Sequence, residues 1–139
     1  MIILDTNVLS EMMRREPDPT VAAWFSARVA TGLFTTTITQ AEILYGIALL
    51  ASAGRGSRLI GAAREMFASD FAGRILSFDQ AAAQAYADIA AARRRAGQPI
   101  AQFDAQIAAI ARSRDASVAS RNIADFEGCG ISLIDPWRP

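Results

Sequence analysis

The chain opens with Met1-Ile2-Ile3-Leu4-Asp5-Thr6-Asn7-Val8-Leu9, in which four apolar residues run directly into an acid. A short, continuous apolar run predicts a strand that is buried on both faces, as in a parallel sheet. Thr6-Asn7 is typical of the start of a helix, so we expect Asp5 at the carboxyl end of the strand, where open α/β sheets bind their ligands. The alternative is that Asp5 or Asn7 only caps that helix.

The composition excludes several kinds of chemistry. The 139 residues, 52% of them apolar, suffice for one globular domain, 1–139, and their net charge is zero. Histidine is absent and all 14 basic residues are arginine, which excludes histidine catalysis, a P-loop lysine and Schiff-base chemistry. The single Cys129 cannot form an internal disulfide. An enzyme built from this chain must therefore act through carboxylates, and a polyanionic substrate needs a local arginine patch or metal ions.

Predicted strands and helices alternate along the rest of the chain, which indicates an α/β fold with a parallel central sheet and right-handed crossovers. The predicted strands cover 1–4, 33–36, 74–78, 117–119 and 131–134. The predicted helices cover 7–13, 19–31, 39–50, 57–72, 79–96 and 100–114, and Asp18 and Asp79 are the expected N-caps of two of them.

Two acids within predicted helices stand out for different reasons. Thr39-Gln40-Ala41-Glu42 fits the T-x-x-E capping box that opens a helix, which offers Glu42 a structural role worth about 1 kcal/mol as the alternative to catalysis. Asp104 heads an apolar helical face that continues through Ile107 and Ala111. An unpaired carboxylate in such a place needs a cation, a network of donors or a wet cleft, so a functional role is favoured for Asp104.

The candidate polar residues share one location in the expected fold. Asp5 and the pair Asn122 and Asp125 follow strand ends, and we expect Glu42 and Asp104 in the first turns of helices. In a parallel α/β sheet these positions lie at one edge, so the sequence predicts one acidic cluster there. Close carboxylates repel each other unless a cation lies between them. Without histidine or lysine, the matching cation is Mg²⁺ or Mn²⁺, a choice that favours phosphodiester hydrolysis.

Four stretches resemble the four motifs of PIN-domain proteins and, more narrowly, of the VapC-type toxins of bacterial toxin–antitoxin pairs. They are Leu4-Asp5-Thr6-Asn7-Val8-Leu9-Ser10-Glu11, Thr39-Gln40-Ala41-Glu42-Ile43-Leu44-Tyr45-Gly46, Ile100-Ala101-Gln102-Phe103-Asp104-Ala105-Gln106-Ile107-Ala108-Ala109 and Ser120-Arg121-Asn122-Ile123-Ala124-Asp125-Phe126. Two more, Phe71-Ala72-Gly73-Arg74-Ile75-Leu76-Ser77-Phe78-Asp79 and Asp135-Pro136-Trp137, resemble the FitB branch. The resemblance spans essentially the whole chain and implies a single PIN domain with a three-layer α/β/α fold.

The same resemblance implies an activity and a set of partners. It implies a Mg²⁺-dependent endoribonuclease, with Mn²⁺ as a possible substitute, that is the toxin of a type II pair and is neutralised by a cognate antitoxin. It also implies an RNA substrate, a homodimer, and contact with operator DNA only through the antitoxin. We expect attack on the RNA phosphate to be in line and to leave a 3′-hydroxyl and a 5′-phosphate.

The matching positions also imply roles for individual residues. Asp5, Glu42 and Asp104 correspond to the acids that bind the metal and catalyse. Many members have Asp where this chain has Asn122, so the candidate for the fourth catalytic and metal-binding acid is Asp125, one helical turn later. The residues expected to orient these acids are Thr6, Asn7, Ser120 and Asn122.

Three other interpretations remain open. The first is a PIN protein of low activity that acts mainly as the partner of a DNA-binding antitoxin in an operator-binding repressor complex. The second is a metal-dependent DNase or structure-specific nuclease of the same fold. The third is a purely structural domain in which every acid is a cap. No signal peptide or membrane-spanning stretch is evident, so we expect a cytoplasmic protein without membrane contact.

Two surface features complete the sequence-based expectations. The candidates for the antitoxin contact are the apolar surfaces around Trp24 and Phe25 and the Arg55–Phe67 segment. Arg93-Arg94-Arg95 lies near the predicted end of a helix, where positive charge complements the helix dipole. RNA contact is the less favoured account of these three arginines.

Overall fold

The computed structural model describes all residues, Met1–Pro139, and shows five short strands between seven helices. The strands are β1 (Ile2–Leu4), β2 (Leu33–Thr36), β3 (Ile75–Leu76), β4 (Ser117–Ala119) and β5 (Leu133–Ile134). The helices are α1 (Thr6–Met12), α2 (Pro19–Ser26), α3 (Thr37–Ser52), α4 (Ser57–Glu65), α5 (Gln80–Arg95), α6 (Gln102–Ser113) and α7 (Ile123–Phe126). All five predicted strands are confirmed, although β3 and β5 are shorter than expected. No helix is both long enough and apolar enough to cross a bilayer.

The five strands form one parallel sheet in the order β3-β2-β1-β4-β5. In the register of the two central strands, Leu4 of β1 pairs with Ala119 of β4. The chain proceeds from β1 to one side of the sheet and later returns to the other side, so the strand order reverses between β1 and β4. Open α/β sheets bind ligands in the crevice at such a switch point, and Asp5 and Ser120 are the first residues beyond these two strand ends.

Helices cover both faces of the sheet, which confirms the three-layer α/β/α architecture. Because side chains alternate along a strand, Ile3 and Val118 pack against α5 and α6, whereas Leu4 and Ala119 pack against α1, α2, α3 and α4. Trp24 of α2 is only 4% exposed within the second of these cores. Trp24 itself is therefore not exposed to an antitoxin, whereas Phe25 beside it is partly exposed.

Local capping decides where the helices begin. Asp18 and Asp79 cap α2 and α5 as predicted, since their side chains accept hydrogen bonds from backbone N–H groups of the first turn. The predicted capping box at Thr39 is wrong, because α3 begins two residues earlier, directly from the end of β2. Thr36 is its N-cap, and the Thr36 hydroxyl accepts a hydrogen bond from the Thr39 backbone N–H at 3.1 Å. Several threonines in this stretch suit an N-cap, and the end of the strand selects Thr36.

The region after α3 differs from the expected single helix over 57–72. Helix α4 ends at Glu65, and a π-helical turn over Met66–Asp70 follows it. This turn buries Met66 and Phe67 against the core of the second face. Phe71, which follows the π-helical turn and precedes β3, is also buried.

Candidate metal-binding active site

Asp5 lies at the carboxyl end of β1 and is the most buried acid of the site, at 5% exposure. Its backbone N–H extends the sheet by donating to the Ala119 carbonyl at 2.9 Å. Its side chain accepts hydrogen bonds from the Thr6 backbone N–H at 2.8 Å and from the Ser120 hydroxyl at 2.8 Å. Burial raises the pKa of Asp5, the bonds from Ser120 and Thr6 lower it, and the Asp125 charge raises it. Asp5 is thus both the N-cap of α1 and a carboxylate facing the switch point.

Asn7 and Ser120 tie the ends of β1 and β4 together. The Asn7 amide donates to Ser120 Oγ at 3.2 Å and to Asp5 Oδ2 at 3.3 Å. The side-chain oxygen of Asn7, Oδ1, accepts a hydrogen bond from the Arg121 backbone N–H at 3.2 Å. Ser120, which is fully buried, also accepts from the Asn122 backbone N–H at 3.0 Å. These contacts fix the Asp5 carboxylate from behind, as an orienting role for Asn7 and Ser120 requires.

Glu42 lies in the second turn of α3, not in the first turn as expected, and it makes no capping contact. The Thr6 hydroxyl donates to Glu42 Oε1 at 2.8 Å, which joins α3 to the beginning of α1. The Thr6 hydroxyl also lies 3.1 Å from the hydroxyl of Thr39, a fully buried residue. Burial raises the pKa of Glu42, the bond from Thr6 lowers it, and the Asp5 charge raises it. The structural explanation of Glu42 as a cap is therefore wrong.

Asp104 projects from the first turn of α6 and has no hydrogen bond to its side chain. The residues below it on the same face, Ile107 and Ala111, are fully buried, as predicted. Burial, followed by the charges of Asp5, Asp125 and Glu42, raises the pKa of Asp104 to about 6, although the charge of Arg93 opposes this rise. The sequence-predicted acids therefore lie close enough to repel one another, and we name Asp5, Glu42, Asp104 and Asp125 the acid cluster.

Asn122 and Asp125 form the open side of the cluster. Both side chains are exposed. Asn122 is the N-cap residue of α7, but its side chain makes no capping hydrogen bond, and the Asp125 backbone N–H donates to the Asn122 carbonyl at 3.1 Å. Neither side chain is held in place by another residue. The charge of Asp125 nevertheless raises the pKa values of Asp5 and Asp104, so this carboxylate lies at the rim of the cluster.

The donor set suits a hard divalent cation that keeps much of its water. No three His, Cys, Asp or Glu side chains converge closely enough to hold a metal ion by themselves. Mg²⁺ commonly binds through one or two carboxylates and several waters, so a full cage of protein ligands is not required. The oxygen-only donors and the mutual repulsion at Asp104 fit such an ion, which Asp5 and Asp104 could hold, with the charges of Glu42 and Asp125 nearby.

Sequence reasoning missed the role of Arg93. Its side chain is only 8% exposed, whereas the neighbouring Arg94 and Arg95 are exposed. A signal was available, because Arg93 continues the buried face of α5 through Ala82 and Ile89 at spacings of seven and four residues. The run of three arginines concealed it.

Comparison with known proteins identifies the family of the chain. Residues 2–127 match the PIN domain family. The chain is 42% identical to the plasmid stability protein StbB of Pseudomonas syringae pv. tomato, over 99% of each sequence. It is 37% identical to the VapC ribonuclease Y4jK of Sinorhizobium fredii, over 100% of this chain and 99% of that protein.

Solved structures show the same relationship. The crystal structure of FitAcB from Neisseria gonorrhoeae contains a chain that matches with a TM-score of 0.89 and 35% identity, over 100% of both chains. A chain of FitAB bound to an IR36 DNA fragment matches with a TM-score of 0.88 and 36% identity, over 99% of this chain and 96% of that one. The chain therefore belongs to the PIN-domain family and, within it, to the group of the VapC and FitB toxins.

Proposed function

We propose that this protein is a Mg²⁺-dependent endoribonuclease and the toxin of a type II toxin–antitoxin pair. The observation that carries this proposal is the acid cluster at the switch point, where the pKa of Asp104 is raised to about 6 by burial and by the three neighbouring charges. Such repulsion is relieved when a cation binds between the carboxylates. The name of one relative, a VapC ribonuclease, supports RNA as the substrate, and the name of another, the toxin FitB, supports a role as a toxin.

The residues of the cluster divide the work of phosphodiester hydrolysis. Asp5 and Asp104 would hold Mg²⁺ or Mn²⁺, and the ion, when bound, supplies charge neutralisation at the phosphate and lowers the pKa of water. Glu42, oriented by Thr6 and with its pKa raised, accepts the proton of the attacking water. The water oxygen bonds to phosphorus as the P–O3′ bond breaks, and O3′ takes a proton from solvent. The products are a 3′-hydroxyl and a 5′-phosphate.

Binding of RNA requires a local cluster of positive charge, because the net charge of the whole chain is zero. A cavity of about 580 Å³ adjoins the cluster and is lined by Asn122 and Asp125 together with Arg121, Trp137 and Arg138. The Arg121 guanidinium lies over the Trp137 ring, 5.1 Å from its centre. Arginine and aromatic side chains together suit the phosphates and flat bases of a single strand. We propose that a nucleotide next to the cleaved phosphate binds in this cavity.

The direct test is cleavage by the purified, antitoxin-free protein. Total RNA and matched RNA and DNA oligonucleotides are incubated with Mg²⁺, with Mn²⁺ or with a chelator, beside the variants Asp5→Asn and Asp104→Asn. Asp88→Asn is the matched control, because Asp88 is exposed on α5. We expect discrete, metal-dependent RNA products that are lost in both cluster variants and kept in the control. Preferential cleavage of DNA would show that DNA, and not RNA, is the substrate. The absence of metal-dependent cleavage of both nucleic acids would contradict the nuclease proposal.

A groove of about 780 Å³ is the surface we propose for the antitoxin. Met13, Ile43, Ile47, Leu50 and Leu59 form its apolar lining, Arg14, Arg15 and Arg58 are its cations, and Thr6 and Glu42 line it as well. A segment with apolar and acidic side chains complements this lining. Because Glu42 lines the groove, such a segment would cover one acid of the cluster and would thereby inhibit the proposed nuclease activity. The groove includes the beginning of the expected Arg55–Phe67 segment.

Filling this groove tests the proposed contact. Gly46 lines the groove, and no atom lies within 4 Å of the position that a Cβ would take there. Gly46→Leu should therefore fold and weaken binding of the antitoxin encoded beside this chain by about 10-fold or more, as loss of a central contact does. Gly61→Leu, on α4 and equally unobstructed, is the control. Equal antitoxin affinity of the two variants would place the contact elsewhere.

A second candidate function follows from one structural neighbour. FitAB, whose matching chain shares this fold, was solved bound to a DNA fragment. We propose that this chain forms a homodimer, binds an antitoxin and contacts operator DNA only through that antitoxin. Light scattering and operator-shift experiments with and without antitoxin test these partners. Operator binding by an intact complex, with no RNA cleavage by the free toxin, would favour a repressor role with low nuclease activity.

A further inference from the structure

Arg93 is a buried cation without an acidic partner. It lies in the last turn of α5 and is 8% exposed, and the two ion pairs of the protein join other residues, Arg14 with Glu11 and Arg114 with Asp79. A buried guanidinium destabilises a fold unless hydrogen bonds to protein atoms replace those that it loses to water. The position of those hydrogen bonds therefore indicates what the side chain holds.

Two of the three short bonds reach across to the rim of the acid cluster. Arg93 Nε donates to the Gln98 carbonyl at 2.6 Å, which closes the end of its own helix. Arg93 Nη1 donates to the Asp125 carbonyl at 3.0 Å and to the Glu127 carbonyl at 2.8 Å. One guanidinium thus grips the backbone at and just beyond the last turn of α7, where the carbonyl dipoles favour positive charge.

This grip matters because little else fixes Asp125. Helix α7 has four residues and no side-chain cap at Asn122, and the Asp125 side chain itself has no hydrogen bond. Phe126, 1% exposed, anchors the same turn to the core, and Gly128 follows with a positive φ of 76°. The position of the Asp125 carboxylate is therefore set by the backbone of this turn, to which Arg93 donates two hydrogen bonds. The Arg93 charge also opposes the repulsion at Asp104.

We infer that Arg93 is a positioning residue that places Asp125 at the rim of the proposed cation site. The inference rests on the proposed function, since it assigns Asp125 a part in holding the cation. It distinguishes Arg93 from Arg94 and Arg95, which occupy the same helix end but are exposed.

Mn²⁺ binding by the metal-free protein tests this inference without any substrate. Dissociation constants are measured by electron paramagnetic resonance, well below the melting temperature of each variant, for Arg93→Met and Arg93→Lys and for the controls Arg94→Met and Arg95→Met. We expect Arg93→Met to weaken Mn²⁺ binding by about 10-fold, the lower end of the effect of residues that support metal ligands. Arg93→Lys, which keeps the charge but is one bond shorter and lacks the second nitrogen that bonds to the Gln98 carbonyl, should lie between, and the two controls should match the wild type.

A second background separates positioning from general destabilisation. In Asp125→Asn, the effect of Arg93→Met on Mn²⁺ affinity should largely disappear, because both changes act through the same carboxylate. An Arg93→Met protein that melts earlier but binds Mn²⁺ like the controls would overturn the inference, as would an equal loss of affinity with and without Asp125. Absence of Mn²⁺ binding by the wild type would instead overturn the proposed function and this inference with it.

Discussion

Asp5 and Asp104 carry the same carboxylate, but their surroundings differ. Asp5 is 5% exposed and accepts hydrogen bonds from Thr6, Ser120 and Asn7, so its orientation is fixed before any ligand arrives. Asp104 lies at the start of α6 with no hydrogen bond to its side chain, and burial together with the repulsion of three acids raises its pKa. In the proposed site, Asp5 would hold a cation in a fixed position, whereas the repulsion at Asp104 would favour the binding of that cation.

The fold explains this division. Asp5 and Ser120 follow the two central strands at the switch point, where backbone and side-chain donors from both strands are available. Asp104 and Asp125 come from helices at the edge of the cluster, where solvent or an ion must satisfy them. A site built this way holds one side rigid and leaves the other free to take water, metal or phosphate.

The largest effect should follow from removal of the hydroxyl that donates to Asp5. Ser120→Ala leaves a buried carboxylate oxygen with only the long bond from Asn7, which should cost about 1–3 kcal/mol of unfolding free energy. Cleavage of RNA should fall by about 10- to 100-fold, because Asp5 loses its orientation. Denaturant melts and RNA cleavage measure both, with the exposed Ser132→Ala as control. Wild-type stability in Ser120→Ala would show that the fixed side of the site is not held by this bond.

The raised pKa of Asp104 should make the stability of the protein depend on pH. The pKa of Asp104 is raised from 3.8 to about 6 in the folded protein, so the folded state holds this proton more tightly than the unfolded chain. Its contribution to stability is therefore full below about pH 4 and is lost as the pH rises to about 6. Without metal, Asp104→Asn should be more stable than the wild type above pH 6, by about 1 kcal/mol after allowance for solvent screening.

Chemical denaturation at several pH values checks this expectation, with Asp88→Asn as the matched control. The difference between Asp104→Asn and the wild type should vanish near about pH 3, where Asp104 is protonated in the folded state and largely so in the unfolded chain. A difference that does not change between about pH 3 and pH 7 would mean that neither burial nor the neighbouring charges raise the pKa of Asp104.

The smallest effect concerns the open rim. Asn122→Asp adds a carboxylate at the position where many VapC-type proteins carry one, next to the cluster and exposed. We expect the Mg²⁺ concentration for half-maximal cleavage to fall by about 2- to 5-fold, because ligand charge strengthens binding of hard cations. Mg²⁺ titrations of RNA cleavage measure the change. An increase in the required Mg²⁺ would indicate that Asn122 contributes its amide rather than merely lacking a charge.

The strand ends were the most predictable part of the site. A continuous apolar run that stops at Asp5, and an apolar face headed by Asp104, each place an acid without knowledge of the neighbours. Parallel topology then brings them to one edge. These local patterns sufficed for the parallel sheet and for the positions of Asp5 and Asp104, whereas the three layers followed from the family resemblance and Glu42 lies in a later turn than expected.

Contacts between distant residues could not be predicted in the same way. The Thr6–Glu42 bond joins two helices, and the wrong capping box arose because neighbouring threonines compete for one N-cap until the end of β2 selects Thr36. The burial of Arg93 depends on carbonyls more than 30 positions along the chain. Propensity and spacing describe single elements, whereas these roles are set by packing between elements.

The central claim is that the acids form one cation site and are not a set of caps. Melting temperature with and without Mg²⁺ tests it most directly, for the metal-free wild type, Asp104→Asn and Asp88→Asn at a pH above 7, where Asp104 is ionised. We predict that Mg²⁺ raises the melting temperature of the wild type and of Asp88→Asn, and leaves that of Asp104→Asn nearly unchanged. The same response in all three proteins, or none in the wild type, would contradict the claim.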